Sequence, residues 1–220
     1  MLFELDNVEL YFKNKPVLNG IYLKAETGKV TGILGRNGCG KSCLLDIAFG
    51  NLKAKYQLIR INNRPVLKPL YATGLVKYLP QYHFIPNGFK VKKAFQLFKV
   101  SWTSFTALFA GFEMFENHKF GKLSGGERRL IEAYIILKGK SNIVLLDEPF
   151  SHLAPLYINS ITSLIKEEKR HKTIIITDHH YKEVIAVSDD IYLLKNGTTK
   201  HVDNLKELED YQYVSQGSLG

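Results

Sequence analysis

Cysteine is scarce in this sequence: two residues in 220, alongside a single tryptophan and two methionines. Two thiols cannot frame a disulfide-rich secreted fold, and they supply too few ligands for a metal centre. Cys39 and Cys43 stand four apart within one loop-to-helix segment and read as loop residues carrying thiols where small or hydroxyl side chains are commoner. Long apolar stretches are missing too. No run reaches the roughly 18 uncharged residues that a membrane-spanning helix needs. The opening Met1-Leu2-Phe3-Glu4-Leu5-Asp6 has no basic segment, apolar core or small-residue cleavage site, so a signal peptide is not expected. There is no internal repeat, and no low-complexity segment argues for disorder. These absences point to a cytoplasmic protein. Acidic residues are the minority charge: 30 Lys+Arg against 21 Asp+Glu leave a net +9. That balance favours an anionic partner such as a nucleotide, phospholipid headgroups or nucleic acid. The cations are scattered, with only short clusters such as Lys90-Val91-Lys92-Lys93, and read as a solvated surface. No dedicated nucleic-acid face is expected.

What is present suits one domain with a substantial core, since 45% of residues are hydrophobic. Leu2 to Leu10 alternates apolar and polar residues, the pattern of a half-buried strand. Val30-Thr31-Gly32-Ile33-Leu34 is a short apolar strand that runs into a glycine-rich loop, and Ser42 to Phe49 reads as the helix after it. Gln57 to Ile61, a turn at Asn62-Asn63 and Arg64 to Val66 predict a hairpin, because asparagine tolerates positive φ. Ile143 to Leu146 and Thr173 to Ile176 are continuous apolar runs, as in buried parallel strands. Strands alternating with helices give an α/β layered core. Near the end, Asn204-Leu205-Lys206-Glu207 predicts a capping box and a short helix near 205–212, and Gln216 to Gly220 is expected to be loose.

Residues 82–120 break that alternation. They hold 11 of the 26 aromatic residues and no clear strand. Phe95, Phe98, Trp102, Phe105, Phe109 and Phe112 recur at helical spacing, and Ser101 is placed to cap a second helix, so two short helices are expected. The stripe reads as the core of a small helical lobe; the competing reading leaves part of it exposed to dock a partner helix.

Gly35-Arg36-Asn37-Gly38-Cys39-Gly40-Lys41-Ser42 matches G-x-x-x-x-G-K-[ST] in full. In such a loop the glycines let successive backbone N–H groups turn inward around phosphate oxygens. Lys41 then neutralises the β/γ-phosphates and the Ser42 hydroxyl ligates Mg²⁺. An alkylating reagent on Cys39, inside the loop, is expected to block nucleotide. Ile143 to Glu148 supplies the complementary half, an apolar strand that delivers two carboxylates. Asp147 is placed to hold Mg²⁺ and Glu148 to orient or deprotonate the attacking water. Asp178-His179-His180 would also suit a metal-dependent phosphoesterase, but further Asp/His ligands at matching strand ends are not found.

Leu123-Ser124-Gly125-Gly126-Glu127, between that loop and Asp147-Glu148, resembles the signature sequence of the ATP-binding cassette (ABC) ATPases. With it, the order of motifs is similar to that family over nearly the whole chain. The resemblance implies a phosphate-loop NTPase core with a mostly parallel sheet, an N-terminal antiparallel β part and an inserted small helical lobe, all within residues 1–220. Residues 1–81 and 139–220 would form the nucleotide-binding core and 82–138 the helical subdomain with the signature. The resemblance also assigns Gln81 to contact Mg²⁺ or the water, and His179 to reach the γ-phosphate. Phe12 would stack on adenine, with Tyr11 as the alternative, and Cys43 falls where a hydroxyl usually meets the α-phosphate. Ser124, Gly125 and Gly126 would grip the γ-phosphate held by another subunit. Where the family commonly reads S-A-L-D, this chain has Ser151-His152-Leu153-Ala154; the missing aspartate normally helps couple the two sites. Local likenesses, including Glu127-Arg128-Arg129 and Glu148-Pro149-Phe150, are to lipopolysaccharide-export and branched-chain amino-acid transporter ATPases.

The implied function is the ATPase subunit of a membrane transporter, with ATP and Mg²⁺ as cofactors. ATP would close a head-to-tail homodimer, and a separate transmembrane permease would recruit the subunit to the inner face of the membrane. The alternatives are a soluble single-cassette ATPase acting in assembly or regulation, and a nucleotide-binding scaffold that hydrolyses poorly.

Overall fold

A computed structural model describes residues 1–217. Ser218, Leu219 and Gly220, part of the tail expected to be loose, lie outside the described residues. The chain opens with two long antiparallel strands, β1 (Leu2–Phe12) and β2 (Lys15–Glu26), followed by β3 (Val30–Leu34) and α1 (Lys41–Phe49). A hairpin follows, β4 (Tyr56–Ile61) and β5 (Arg64–Pro65), then a 3₁₀ turn at Leu70–Thr73 and β6 (Val76–Leu79). Three helices come next: α2 (Val91–Phe98), α3 (Trp102–Leu108) and α4 (Gly125–Lys138). The last part alternates β7 (Ile143–Asp147), α5 (Pro155–Glu168), β8 (Thr173–Thr177) and α6 (Tyr181–Val187), and closes with β9 (Asp190–Lys195), β10 (Thr198–Val202) and α7 (Glu207–Asp210). Among the described residues no helix is long and apolar enough to cross a membrane.

Two sheets result. One is antiparallel, in the order β2-β1-β4-β5; the other has six strands in the order β10-β9-β3-β8-β7-β6. In the larger sheet β9, β3, β8, β7 and β6 run parallel and only β10 is reversed. The three central strands are buried along their whole length, which accounts for their unbroken apolar sequences. Because they run in parallel, their C-terminal ends emerge on one side and carry Gly35, Glu148 and Asp178.

The expected local features form with small shifts. Asn62 and Asn63 have φ of 50° and 62°, the left-handed pair that a tight hairpin requires, although β5 stops at Pro65, short of Val66. Ser101 caps α3 by accepting a hydrogen bond from Ser104 N at 3.1 Å. At the C-terminus only half of the expected box forms. Glu207 accepts from the Asn204 and Asp203 backbone N–H groups, while Asn204 Oδ1 accepts from Lys206 N, so the helix begins at Glu207.

The aromatic stripe is mostly core. Phe95, Phe105, Phe109 and Phe112 are buried, with Phe105 edge-on to Tyr134 of α4 at 4.9 Å. Half-buried Trp102 stacks on Phe105 at 5.3 Å and meets Phe95 edge-on at 4.9 Å. Phe98 is also half-buried, against Phe84. The exposed large hydrophobics of this region, Tyr82, Leu97, Leu108 and Met114, lie outside the stripe.

Candidate functional site

Strand β3 is buried at every residue and delivers the chain to the glycine loop. Gly40 takes φ of 109° immediately before α1, and a Cβ there would fall 2.9 Å from Leu18 Cδ2. Only glycine allows the loop to turn so close to β2 and start a helix at the next residue. The first-turn N–H groups of α1 have no intrahelical acceptors, so this end of the helix suits an anion. Lys41 is 7% exposed, and its ammonium donates to the carbonyls of Gly35 at 2.8 Å and Arg36 at 3.3 Å.

A cavity of about 610 Å³ opens over this helix end. Loop and helix contribute Asn37, Gly38, Gly40, Lys41, Ser42 and Cys43. Four more of the residues picked from sequence converge on it from separate segments: Phe12, Gln81, Glu148 and His179. Of the two candidate aromatics, Phe12 lines the cavity with a ring 49% exposed. Tyr11 turns instead toward Glu9 and the Lys55 ammonium, 5.2 Å from its ring centre.

Gly35 and Cys39 do not line this cavity. Cys39 instead lines a second, smaller space of about 250 Å³ shared with Arg36, Tyr211 and Tyr213, which moves the labelling expectation from Cys39 to Cys43. Burial pushes both thiols above their ordinary range, so labelling should be slow at neutral pH and quicken as pH rises. Mg-ATP should protect Cys43 and leave Cys39 unchanged, as read by peptide mass spectrometry after a timed pulse of alkylating reagent. Equal protection at both thiols would contradict this placement.

Asp147 ends β7 at 1% exposure. Among the described residues its Oδ1 has no hydrogen-bond partner within 3.5 Å, while Oδ2 accepts from the Tyr78 hydroxyl at 3.4 Å. Burial pushes its pKa up to about 6; the neighbouring Ser42 hydroxyl and Arg129 pull down, and Glu148 and Asp46 push up. Asp147 is not itself among the cavity-lining residues. Its carboxylate beside the Ser42 hydroxyl, with the Gln81 amide on the cavity that Ser42 lines, is nonetheless an oxygen-donor set of the kind hard divalent cations take. The residues fit such an ion.

Glu148 follows with φ of 54°, rare for a residue with a side chain. Its N–H donates to Thr177 O at 2.7 Å. Its Oε2 accepts from Ser151 Oγ at 3.1 Å and lies 3.4 Å from His179 Nδ1. Asp178 is buried between the loops that carry Glu148 and His179, and accepts from Phe150 N at 2.9 Å and His180 N at 3.0 Å. Burial raises its pKa, against the pull of those two N–H bonds. Metal-ligating atoms of Asp178, His179 and His180 do lie within 4.8 Å of one another, but both Asp178 oxygens are already committed to backbone donors. That arrangement favours a loop brace over a metal centre.

The signature segment lies elsewhere. Ser124 caps α4 in a full capping box with Glu127, and neither it nor Gly125 nor Gly126 lines the cavity. A Cβ on Gly126 would fall 2.6 Å from the His152 carbonyl oxygen, so the chain's own packing requires that glycine. Around Gly125 a Cβ would meet nothing within 4 Å. Ala154 begins α5 as an N-cap without a side-chain hydrogen bond.

Sequence reading missed Val17 on the cavity wall, the Ser151 and Asp178 braces, and Arg129. The usable signal for Arg129 was positional: an arginine at the start of a helix turn that is otherwise buried and apolar, from Leu130 to Leu137, apart from Glu132.

A phosphate-loop cavity at the carboxyl end of a mostly parallel sheet, flanked by an antiparallel sheet and a helical insertion, defines an ATP-binding cassette. The sequence profile of the ABC transporter family matches residues 18–151, well over half of the chain. An uncharacterized ABC transporter ATP-binding protein of Methanocaldococcus jannaschii is 26% identical, over 98% of this chain and 84% of its own length. The manganese transport system ATP-binding protein MntB of Listeria innocua is 28% identical, over 90% and 88%. A solved ATP-binding subunit of an ABC transporter shares the fold with a TM-score of 0.83, covering 100% of this chain and 96% of that one at 19% identity. The chain belongs to the ABC transporter family, whose cassettes bind and hydrolyse ATP.

Proposed function

We propose that this chain is the Mg-dependent ATPase subunit of a membrane transporter, acting as a head-to-tail pair of identical cassettes on a separate permease at the inner face of the membrane. The observation that carries the reading is a division of parts. Lys41, Ser42, Gln81, Glu148 and His179 surround one cavity, whereas Ser124 to Gly126 stand outside it at the N-terminus of a 14-residue helix. Open space around Gly125 fits a ligand brought by a second subunit.

In this reading Phe12 stacks on the adenine ring. Backbone N–H groups from Gly35 to Cys43 surround the phosphates, and Lys41 leaves its carbonyl partners to neutralise the β/γ charge. Ser42, Asp147 and Gln81 would hold Mg²⁺, which would supply charge neutralisation of the transferred phosphoryl oxygens. Glu148 accepts a proton from the attacking water, and His179, 3.4 Å from its carboxylate, reaches the γ-phosphate. Ser124 to Gly126 of the other subunit close the site, with the dipole of α4 directed at the anion. Residues 82–138 act as the lobe that meets the permease, against a core of 1–81 and 139–220. One relative is named as the ATP-binding protein of a manganese transport system, and this supports the permease assignment.

Complementation tests the head-to-tail arrangement. Ser124→Arg and Lys41→Ala subunits should each be inactive alone. Mixed one to one, they should form heterodimers with one intact site each, recovering at most about a quarter of the wild-type ATPase rate. A mixture no more active than its parents would overturn the arrangement.

A further inference from the structure

We propose that Arg129 is a positioning residue for hydrolysis, a guanidinium on the signature helix that holds Glu148 in its left-handed backbone turn and joins that turn to the residue before Gln81. The proposal rests on the reading of Glu148 as the acceptor of the water's proton.

Arg129 is 1% exposed, and its direct partners are backbone carbonyl oxygens. Nη1 donates to Pro80 O at 2.6 Å. Nη2 donates to Glu148 O at 2.9 Å and also to Asp147 O, and Nε donates to Glu148 O at 3.2 Å. Among the described residues no carboxylate lies within ion-pair distance of it. The buried charge is therefore satisfied by the ends of two strands, β6 through Pro80 and β7 through Asp147 and Glu148. A planar fork of five N–H donors suits converging carbonyls, and an ammonium on a flexible stem does not reproduce its geometry.

The contact falls where the backbone is least relaxed. With φ of 54°, Glu148 adopts a conformation that persists only when its surroundings over-determine it. Thr177 O fixes its N–H from β8, and Arg129 fixes its carbonyl from α4. Between these two anchors the carboxylate comes to lie against Ser151 Oγ and His179 Nδ1. The adjacent Arg128 and Glu132 have a different target: they bind Ile85, Asn87 and His83 and leave the two acids untouched. Arg129 alone spans from the helix to the acids.

The test compares Arg129→Met, Arg129→Lys and Arg128→Gln in the full chain. Three quantities are read: thermal midpoint, equilibrium affinity for a fluorescent ATP analogue, and single-turnover hydrolysis with protein in excess. The nucleotide cavity keeps its lining, so affinity should stay within about threefold while the single-turnover rate of Arg129→Met falls about a hundredfold, the scale of a misplacement near 1 Å. Arg129→Lys should lose roughly tenfold, and Arg128→Gln should stay near wild type. If Arg129→Met does not fold, the lysine variant carries the test. A folded Arg129→Lys that hydrolyses at the wild-type rate, or that loses only nucleotide affinity, would overturn the proposal. Glu148→Gln, measured in parallel, separates the two readings. If it hydrolyses normally, the role of Glu148 itself has failed; if it is inactive while the Arg129 variants are not, only the positioning role has.

Discussion

Glu148→Gln should lower ATP hydrolysis by about 10²- to 10⁴-fold, the range in which general bases contribute, and leave ATP binding intact. Glutamine matches glutamate in size and can still accept the Ser151 hydroxyl through its amide oxygen, so the 3.1 Å contact and the local fold should survive. What it cannot do is take a proton from water. Lys41, Phe12 and the loop N–H groups are unchanged, so nucleotide should enter normally and accumulate unhydrolysed. If the cassettes pair around two nucleotides, the variant should collect as an ATP-dependent dimer on size exclusion, where wild type is transient. Phosphate release and dimer fraction, measured together, check both halves. Wild-type hydrolysis in the variant would remove Glu148 from the mechanism.

Asp147→Asn should make the protein more stable while abolishing Mg-dependent turnover. The Asp147 carboxyl is raised from 3.8 to about 6, chiefly because burial opposes its charge. In the unfolded chain it ionises near its ordinary value. Between those two values the folded state holds more protons than the unfolded one, so this group's contribution to stability falls as pH rises through the window. Above pH 6 the folded protein carries the full cost, about 3 kcal/mol from the separation of the two pKa values. Asparagine carries no charge. The variant's melting temperature should exceed wild type by roughly 5–10 °C at pH 8 for a domain of this size, with the difference shrinking toward zero near pH 4. Paired melting curves at the two pH values check the sign. A variant no more stable than wild type at pH 8 would show that the ionised carboxylate is already well satisfied without a cation.

The cavity was legible because its chemistry is written in short contiguous words. A glycine loop, a strand ending in two acids and an Asp-His pair each place their side chains through local geometry: positive φ at Gly40, a strand terminus at Asp147, a tight loop at His179. The hairpin at Asn62-Asn63 and the cap at Ser101 were readable for the same reason. Facing directions were not. Cys39 and Cys43 are one helical turn apart in sequence, yet Cys43 lines the nucleotide cavity and Cys39 a neighbouring space. That choice depends on where Tyr211 and Tyr213 pack, more than 170 residues away. The Arg129 contacts are also non-local, joining α4 to carbonyls 49 residues earlier and 18 residues later. Backbone carbonyls carry no sequence label, so an arginine that binds them leaves no pairing partner to search for. Strand β2 went unread because its register against β1 shifts three times and blurs the alternation.

The position of Trp102 has a practical side. It is the only tryptophan in the chain, and it is wedged between Phe95 and Phe105 in the helical lobe, away from the residues that line the nucleotide cavity. The molecule therefore carries a single indole, excited at the red edge apart from its 12 tyrosines, mounted on the lobe and away from adenine stacking. Any change in its emission when nucleotide arrives is a mechanical signal, the lobe registering at a distance that the phosphate loop has been filled.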